Sequence, residues 1–402
     1  MKGLPDYGPA LRQALTGIDA IGDTRCVEPA AASGRVLATP IVADRDMPSF
    51  DRAMLDGYAL RASDLGRVES FPVAASIAAG RPADVAVGPG QCVAIATGAP
   101  LPEGVDTVIG HEQSDRNDPV RFTIDRIEPG HAVHPRGVDA ARGDTLLAAG
   151  TMLGARHLGI AATVGADRLE VVRRPRAVLL TSGDEVVGDN EPVATHQIRN
   201  SNGPMIVNLL GRIGTSPVVH RHLADDRAET IDAVGTAVSE ADLVVTVGGI
   251  SAGERDYFPD AMEAHGVTLA VHGAAIQPGR PVIVGRTAGG TIVVGLPGNP
   301  VSALACACLF VWPIVRALLG IETGLPWRTV ELAEPVPANP RRRAFRPAIL
   351  IKHNGCNDRV RVPAWAGSGD LAHTAATHGL LELPVQGGTV AAGTPLRFLP
   401  WP

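Results

Sequence analysis

Ala177-Val-Leu-Leu-Thr-Ser-Gly-Asp-Glu185 is an unbroken apolar run of strand length that stops in small and acidic residues. The same pattern returns at Asp242-Leu-Val-Val-Thr-Val-Gly-Gly-Ile-Ser-Ala-Gly-Glu-Arg-Asp256 and at Thr291-Ile-Val-Val-Gly-Leu-Pro-Gly-Asn-Pro300. Apolar runs without alternation suit strands buried on both faces, so a parallel sheet covered by helices is expected. Two more strands are read at 216–222 and 281–285. Helices are expected after Ser201-Asn202, Asp225-Asp226, Asp256 and Asn299, each a residue type able to cap. Residues 174–324 therefore read as a doubly wound α/β domain.

Working outward, 325–402 carries short alternating runs such as 359–362 and 380–383, the signature of a C-terminal β domain of barrel or sandwich type. Residues 46–140 alternate short apolar runs with Gly and Pro turns and read as a small β domain. The remaining stretches, 1–45 and 141–173, mix helical and strand spacing and are grouped as one mixed α/β domain. The chain of 402 residues is thus an α/β multidomain protein, with Gly (46) and Pro (33) acting as punctuation.

A net charge of −6 argues against a nucleic-acid partner. The five cysteines (Cys26, Cys92, Cys306, Cys308, Cys356) form no CxxC pair, which suits reduced thiols. The N-terminus has no apolar signal core, and the longest apolar run, 301–315, is interrupted by Pro313. A cytoplasmic protein with no membrane association is expected. Only Lys2 and Lys352 are lysines, so nearly every cation in the chain is arginine.

Ligands of doubly wound folds bind outside the carboxyl ends of the strands, so the three quoted loops are expected to line one crevice. Gly248, Gly249 and Gly253 would let backbone amides approach an anion, and Pro297, Gly298, Asn299 and Pro300 would stiffen the last loop. Glu185, Asp225, Asp226 and Asp256 fall near the same strand ends, where carboxylates could bind a divalent cation beside a phosphate. His220-Arg-His222 is read as packing, with its two rings on opposite faces of a strand. Cys306-Ala-Cys308 is read as packing within an apolar helix.

Six motifs in order then carry a resemblance: Pro48-Ser-Phe-Asp-Arg-Ala-Met-Leu-Asp56-Gly, Thr97-Gly-Ala-Pro-Leu-Pro-Glu-Gly104, Arg136-Gly-Val-Asp139, Ser182-Gly-Asp-Glu185, the 248–256 loop and Leu296-Pro-Gly-Asn-Pro300. Together they resemble the molybdopterin molybdenumtransferase family, of the MoeA and gephyrin E-domain type. The resemblance implies insertion of molybdate into adenylylated molybdopterin, with Mg²⁺-dependent release of AMP. It implies a homodimer whose mixed domain dimerises and whose site joins the α/β domain of one subunit to the β domain of the other. It also implies transient contact with the molybdopterin adenylyltransferase. Carried over by motif, the catalytic residues are Asp56, Thr97, Asp139, Glu185 and Asp256, with Glu185 and Asp256 as metal ligands. Substrate would meet Ser182, Gly183, Asp225, Gly248, Gly249, Ser251, Gly253, Arg280, Pro297, Gly298, Asn299 and Pro300.

One stretch departs from the family. Where the family reads Lys, three residues, Lys-Pro-Gly-Lys-Pro, this chain reads Gly273-Ala-Ala-Ile-Gln277-Pro-Gly-Arg280-Pro281. Arg280 preserves one charge and two cations are missing. The alternative to a working transferase is therefore a non-catalytic or weakly catalytic paralogue that binds the pterin nucleotide as carrier or regulator.

Overall fold

The computed structural model describes residues 3–188, 191–250, 253, 255–351 and 358–402. The chain divides into two compact units. The first comprises Met1–Arg25, Gly34–Val36 and Val171–Pro402, and the second Cys26–Ser33 and Leu37–Glu170.

The first unit opens with α1 (Tyr7–Leu15), whose N-cap Asp6 accepts from the Tyr7 amide and whose buried face is Tyr7, Ala10 and Ala14. Its α/β part runs β1 (Ala177–Ser182), α2 (Asn202–Ile213), β2 (Val218–Leu223), α3 (Arg227–Glu240), β3 (Leu243–Val247), α4 (Phe258–Ala264), β4 (Thr268–His272), β5 (Ile283–Arg286), β6 (Ile292–Leu296), α5 (Pro300–Cys306) and α6 (Trp312–Leu318). The sheet order is β2-β1-β3-β6-β5-β4. β2, β1, β3 and β6 are parallel, whereas β5 runs against both of its neighbours.

The sheet is thus mixed, where the apolar runs alone suggested a parallel one. Neither the reversed sense of β5 nor the edge strand β4 was read from sequence, since strand direction leaves no mark in an apolar run and four of β4's five residues are exposed. β1 lies between β2 and β3, so the chain reverses its winding direction at β1, which opens a crevice at the carboxyl ends of β1 and β3.

Alternation along the strands feeds two cores. Leu179, Leu243, Val245 and Val294 face Ile206, Leu210 and the residues of α5 and α6. Val178, Leu180, Val244 and Val293 face Val234, Ala237, Phe258 and Met262. The helical stretch Pro300–Leu318 is long and apolar enough to cross a bilayer, and 78% of its most apolar 18-residue window is buried inside the protein.

Between α5 and α6 the helix widens into a π turn, Ala307–Val311, just ahead of Pro313. Proline lacks the N–H that would have bonded the carbonyl four residues back, at Leu309. The Tyr7 hydroxyl donates to that carbonyl at 3.3 Å, so α1 satisfies the acceptor that Pro313 leaves open. The Tyr7 ring also packs edge-on against Phe310 and Phe345.

The C-terminal part is a closed five-stranded barrel of β7 (Arg328–Leu332), β8 (Arg343–Ile351), β9 (Arg359–Arg361), β10 (Gly379–Leu383) and β11 (Pro395–Pro400). The strands pair in the order β8-β9-β7-β11-β10, and β10 returns to β8 to close it. Val330, Leu332, Ala344, Leu381 and Phe398 fill the interior.

The second unit carries a four-stranded sheet of Gly57–Leu60, Val73–Ile77, Cys92–Ile95 and Thr107–Gly110, with cores on both faces. Between 46 and 140 its helical turns are two short 3₁₀ pieces, Ala62–Asp64 and His111–Gln113. The helical spacing in the mixed stretch 141–173 corresponds to a helix at Ala155–Thr163. Cys26, Cys92, Cys306 and Cys308 are free thiols, and Cys356 lies outside the described residues.

Candidate active site

A cleft of about 920 Å³ opens at the carboxyl ends of β1, β3 and β6. Of the residues expected there, Ser182, Gly183, Glu185, Asp225, Gly248, Gly249, Asp256, Pro297, Gly298, Asn299 and Pro300 line it. Ser251 lies outside the described residues. Gly253 is not on the wall, but its amide donates to Asp256 Oδ2 at 2.7 Å and so holds that carboxylate in place. Arg280 is exposed and off the wall, although its neighbour Pro281 is on it.

Close approach explains the glycines. A Cβ on Gly249 would lie 3.0 Å from Phe258 and 3.2 Å from Ser182 Oγ, and Gly249 takes a φ of +55°. Gly248 has a φ of +88° and packs beside Gly298. The loops after β1, β3 and β6 therefore meet through glycines, and a side chain at Gly248 or Gly249 would crowd Ser182 or Phe258.

Acidic groups gather at one end of the cleft. Asp184 and Asp225 cross-brace the loops after β1 and β2, the Asp225 amide donating to Asp184 Oδ1 at 3.0 Å. Arg255 Nη1 sits 3.5 Å from Asp184 Oδ2 and ties in the loop after β3. Burial pushes the Asp225 carboxyl above its ordinary value; the Asp184 and Glu185 charges push the same way, while the Asp184 amide and Arg255 oppose them. Among the described residues, no three His, Cys, Asp or Glu side chains are grouped to hold a metal by themselves.

Sequence reasoning missed two walls. Arg199, Asn200, Ser201 and Asn202 line the cleft from the turn before α2, where Ser201-Asn202 was read only as a helix start. Asn202 Nδ2 donates to the Gly298 carbonyl at 2.7 Å, while its Oδ1 is buried without a partner. The barrel contributes Gly369, Asp370, Leu371 and Ala372, docked through the Val301 amide to the Ser368 carbonyl. The adjacent Asn200-Ser201-Asn202 run was a usable signal for the first wall, whereas the second depends on long-range docking that spacing does not show.

The reading of His220 and His222 is corrected. Side chains two apart on a strand share a face, and both rings meet the Thr181 hydroxyl, at 3.0 and 2.9 Å. They are hydrogen-bonding groups rather than packing.

The departing stretch 273–281 is stitched into the fold on all sides. Ala275 N donates to the Pro5 carbonyl, Arg343 N donates to the Ala275 carbonyl, and Gln277 Oε1 accepts from Asn339 Nδ2 at 2.6 Å. Gly273 takes a φ of +90°, and a Cβ there would lie 3.0 Å from Leu4.

In the second unit, Asp56 Oδ1 accepts from both the amide (2.7 Å) and the hydroxyl (2.8 Å) of Thr97. These bonds, the backbone one foremost, hold the Asp56 carboxyl below its ordinary value. Asp139 Oδ1 pairs with His134 Nε2 at 2.9 Å. The 47–54 segment bonds to both neighbouring loops, through Ala53 N to the Ala99 carbonyl and Asp139 N to the Met47 carbonyl.

The doubly wound part of the first unit, residues 178–317, matches the family described as "Probable molybdopterin binding domain". Residues 8–165 match "MoeA N-terminal region (domain I and II)" and 329–401 match "MoeA C-terminal region (domain IV)". A molybdopterin molybdenumtransferase of Nostoc sp. is 30% identical, covering 100% of this chain and 94% of that protein. Molybdopterin molybdenumtransferase 2 of Mycobacterium tuberculosis is 34% identical, covering 91% of this chain and 92% of that protein. The crystal structure of molybdopterin biosynthesis MoeA protein from Pyrococcus horikoshii OT3 superposes with a TM-score of 0.85 at 27% identity, covering 99% of this chain and 100% of that one. The chain belongs to the molybdopterin molybdenumtransferase family and is an enzyme of molybdenum cofactor biosynthesis.

Proposed function

We propose that the enzyme inserts molybdate into adenylylated molybdopterin with Mg²⁺-dependent release of AMP. The observation that carries this reading is the convergence of Glu185, Asp225 and Asp256 on a cleft whose other walls are glycine loops from three strand ends. Such loops suit the phosphate groups of the ligand, and the carboxylates suit a hard cation.

The donor set fits Mg²⁺. The Asp225 carboxyl is destabilised as an anion by burial and by neighbouring acids, which a cation would relieve. Because the described residues offer no complete protein cage, Mg²⁺ would take Glu185 and Asp256 together with substrate phosphate oxygens and water, its usual habit. When bound, the cation neutralises charge that develops on the phosphate. Gly253 keeps Asp256 in place on the cleft wall, and Asn202 braces the Gly298 loop beside it.

Asp56, Thr97 and Asp139 are assigned to the reaction by their motifs, as parts of a composite site in a cytoplasmic homodimer. The same resemblance supports transient contact with the adenylyltransferase that supplies the substrate. Mixing Asp56→Ala with Asp256→Ala subunits tests the dimer, because one site of a heterodimer would then be intact. The reaction itself is tested by incubating the purified chain with adenylylated molybdopterin, molybdate and Mg²⁺. The expected result is AMP release in step with molybdenum cofactor formation, abolished by a chelator. Ligand binding without release would instead favour the carrier reading that the two missing lysines raise.

A further inference from the structure

Thr181, 3% exposed at the end of β1, offers one hydroxyl to three partners. Asn200 Nδ2 lies 3.1 Å away, His220 Nε2 3.0 Å and His222 Nδ1 2.9 Å. The far side of His222, Nε2, is 3.2 Å from the carbonyl oxygen of Gly183, in the loop that lines the cleft.

The proton positions follow from what each atom can do. A carbonyl only accepts, so His222 Nε2 carries hydrogen and donates to Gly183. Neutral His222 then presents a bare Nδ1, which takes the hydrogen of the Thr181 hydroxyl. The amide of Asn200 is oriented by the Gly203 N–H, which donates to Oδ1 at 2.8 Å, so Nδ2 faces Thr181 and donates. The second lone pair of the hydroxyl is left for Nε2–H of His220. Every donor and acceptor on the hydroxyl is used once, which gives one directed chain from Asn200 and His220 through Thr181 and His222 to Gly183.

The end of that chain is a residue that needs holding. Gly183 has a φ of +137°, and its carbonyl also accepts from Val186 N at 3.0 Å. Ser182, just before it, fills the space that a Cβ on Gly248 or Gly249 would occupy, at 3.3 and 3.2 Å. A turn of the Gly183 peptide would therefore disturb two walls of the cleft together.

We propose that His222 is a positioning residue for the enzyme: held in one tautomer by the Gly183 carbonyl at Nε2 and the Thr181 hydroxyl at Nδ1, it fixes that carbonyl and so the Ser182–Glu185 loop that meets adenylylated molybdopterin. The proposal rests on the reading of the cleft given above. His222 itself touches no reacting atom, and its effect passes through the peptide it holds.

Imidazole nitrogen NMR of the full chain, together with calorimetric binding of adenylylated molybdopterin, tests it. The expected spectrum shows His222 as the Nε2–H tautomer, and Thr181→Val, which keeps the shape of the site, should admit a detectable share of the Nδ1–H form, since the Gly183 carbonyl alone then selects the tautomer. His222→Leu should weaken ligand binding about threefold to tenfold, the scale of one hydrogen bond. His222→Gln, whose amide can still reach Gly183, should recover most of that loss. An Nδ1–H tautomer, a spectrum indifferent to Thr181→Val, or equal losses in the Leu and Gln variants would overturn the proposal. Failure of the unaltered chain to bind adenylylated molybdopterin would overturn the proposed function instead, with the Thr181→Val spectra still deciding whether the relay exists.

Discussion

Two segments flank the same end of the sheet and could hardly be used more differently. The 181–185 loop leaves β1 and is held from beneath by side chains, so Ser182, Gly183 and Glu185 stay open to the cleft. The 273–281 segment joins β4 to β5 beside the end of β6, yet its backbone is tied to Pro5 and to Arg343 of the barrel. Position at a strand end is therefore not enough to open a loop to the cleft, because backbone bonds to neighbouring segments can take it up. The loops after β1, β3 and β6 line the cleft, while the stretch without the family's two lysines serves, Pro281 apart, as a structural splice.

The contrast breaks most visibly through Asp256. Replacement by Asn should reduce metal-dependent AMP release by about 10²-fold or more, the scale of losing one transition-state-stabilising group, without moving the melting temperature. Unchanged release would remove the strand-end loops from the chemistry.

The anchoring beside the splice is tested by Arg343→Ala, which keeps the Arg343 N–H to Ala275 and removes the side chain that holds Asp6, next to Pro5. Arg343 binds Asp6 and buried Glu382, each at 2.7 Å, so its loss leaves Glu382 to Arg397 alone. A cost of about 2–4 kcal/mol in denaturant unfolding is expected, with ligand affinity retained by the folded protein. Arg343, first through its hydrogen bond, also holds the Asp6 carboxyl below 3.8. A depressed carboxyl stabilises the fold above its unfolded value and stops doing so as pH falls through the lower folded one. Acid unfolding below pH 3.8 should accordingly be shallower in Arg343→Ala than in the unaltered chain.

The smallest effects separate the two lost lysine positions. Gly273→Lys should cost about 1–2 kcal/mol, because the left-handed backbone disfavours a side chain and Leu4 stands in its way. Gln277→Lys should be tolerated and tighten molybdate binding, with a steeper salt dependence. Arg280→Ala should weaken molybdate more than Gln277→Ala, since a charged donor outweighs a neutral one. Equal effects at all three positions, read by calorimetry, would mean that the segment does not distinguish splice from site.

Much of this was legible in the residues. The runs at 177–181, 242–247 and 291–295 read as buried strands by their length and lack of alternation, and the small and acidic residues after them pointed to the cleft. Strand direction was not legible, because β5 carries the same apolar pattern as the parallel strands of the sheet. The histidine relay was obscured by a misjudged strand face, and the barrel's wall at 369–372 by the distance in sequence between it and Pro300. Asp56, Thr97 and Asp139 could be singled out only by family motif, for an Asp-Gly or Thr-Gly pair taken alone describes a turn.

The central claim is that the cleft at the ends of β1, β3 and β6 receives the pterin nucleotide. A crystal structure of the enzyme with adenylylated molybdopterin and Mg²⁺ tests it most directly. The account predicts phosphate density against Gly248, Gly249 and Gly298, with the cation between the phosphate and Glu185 or Asp256. Ligand density seated instead against the 273–281 segment, with the cleft holding only solvent, would contradict it.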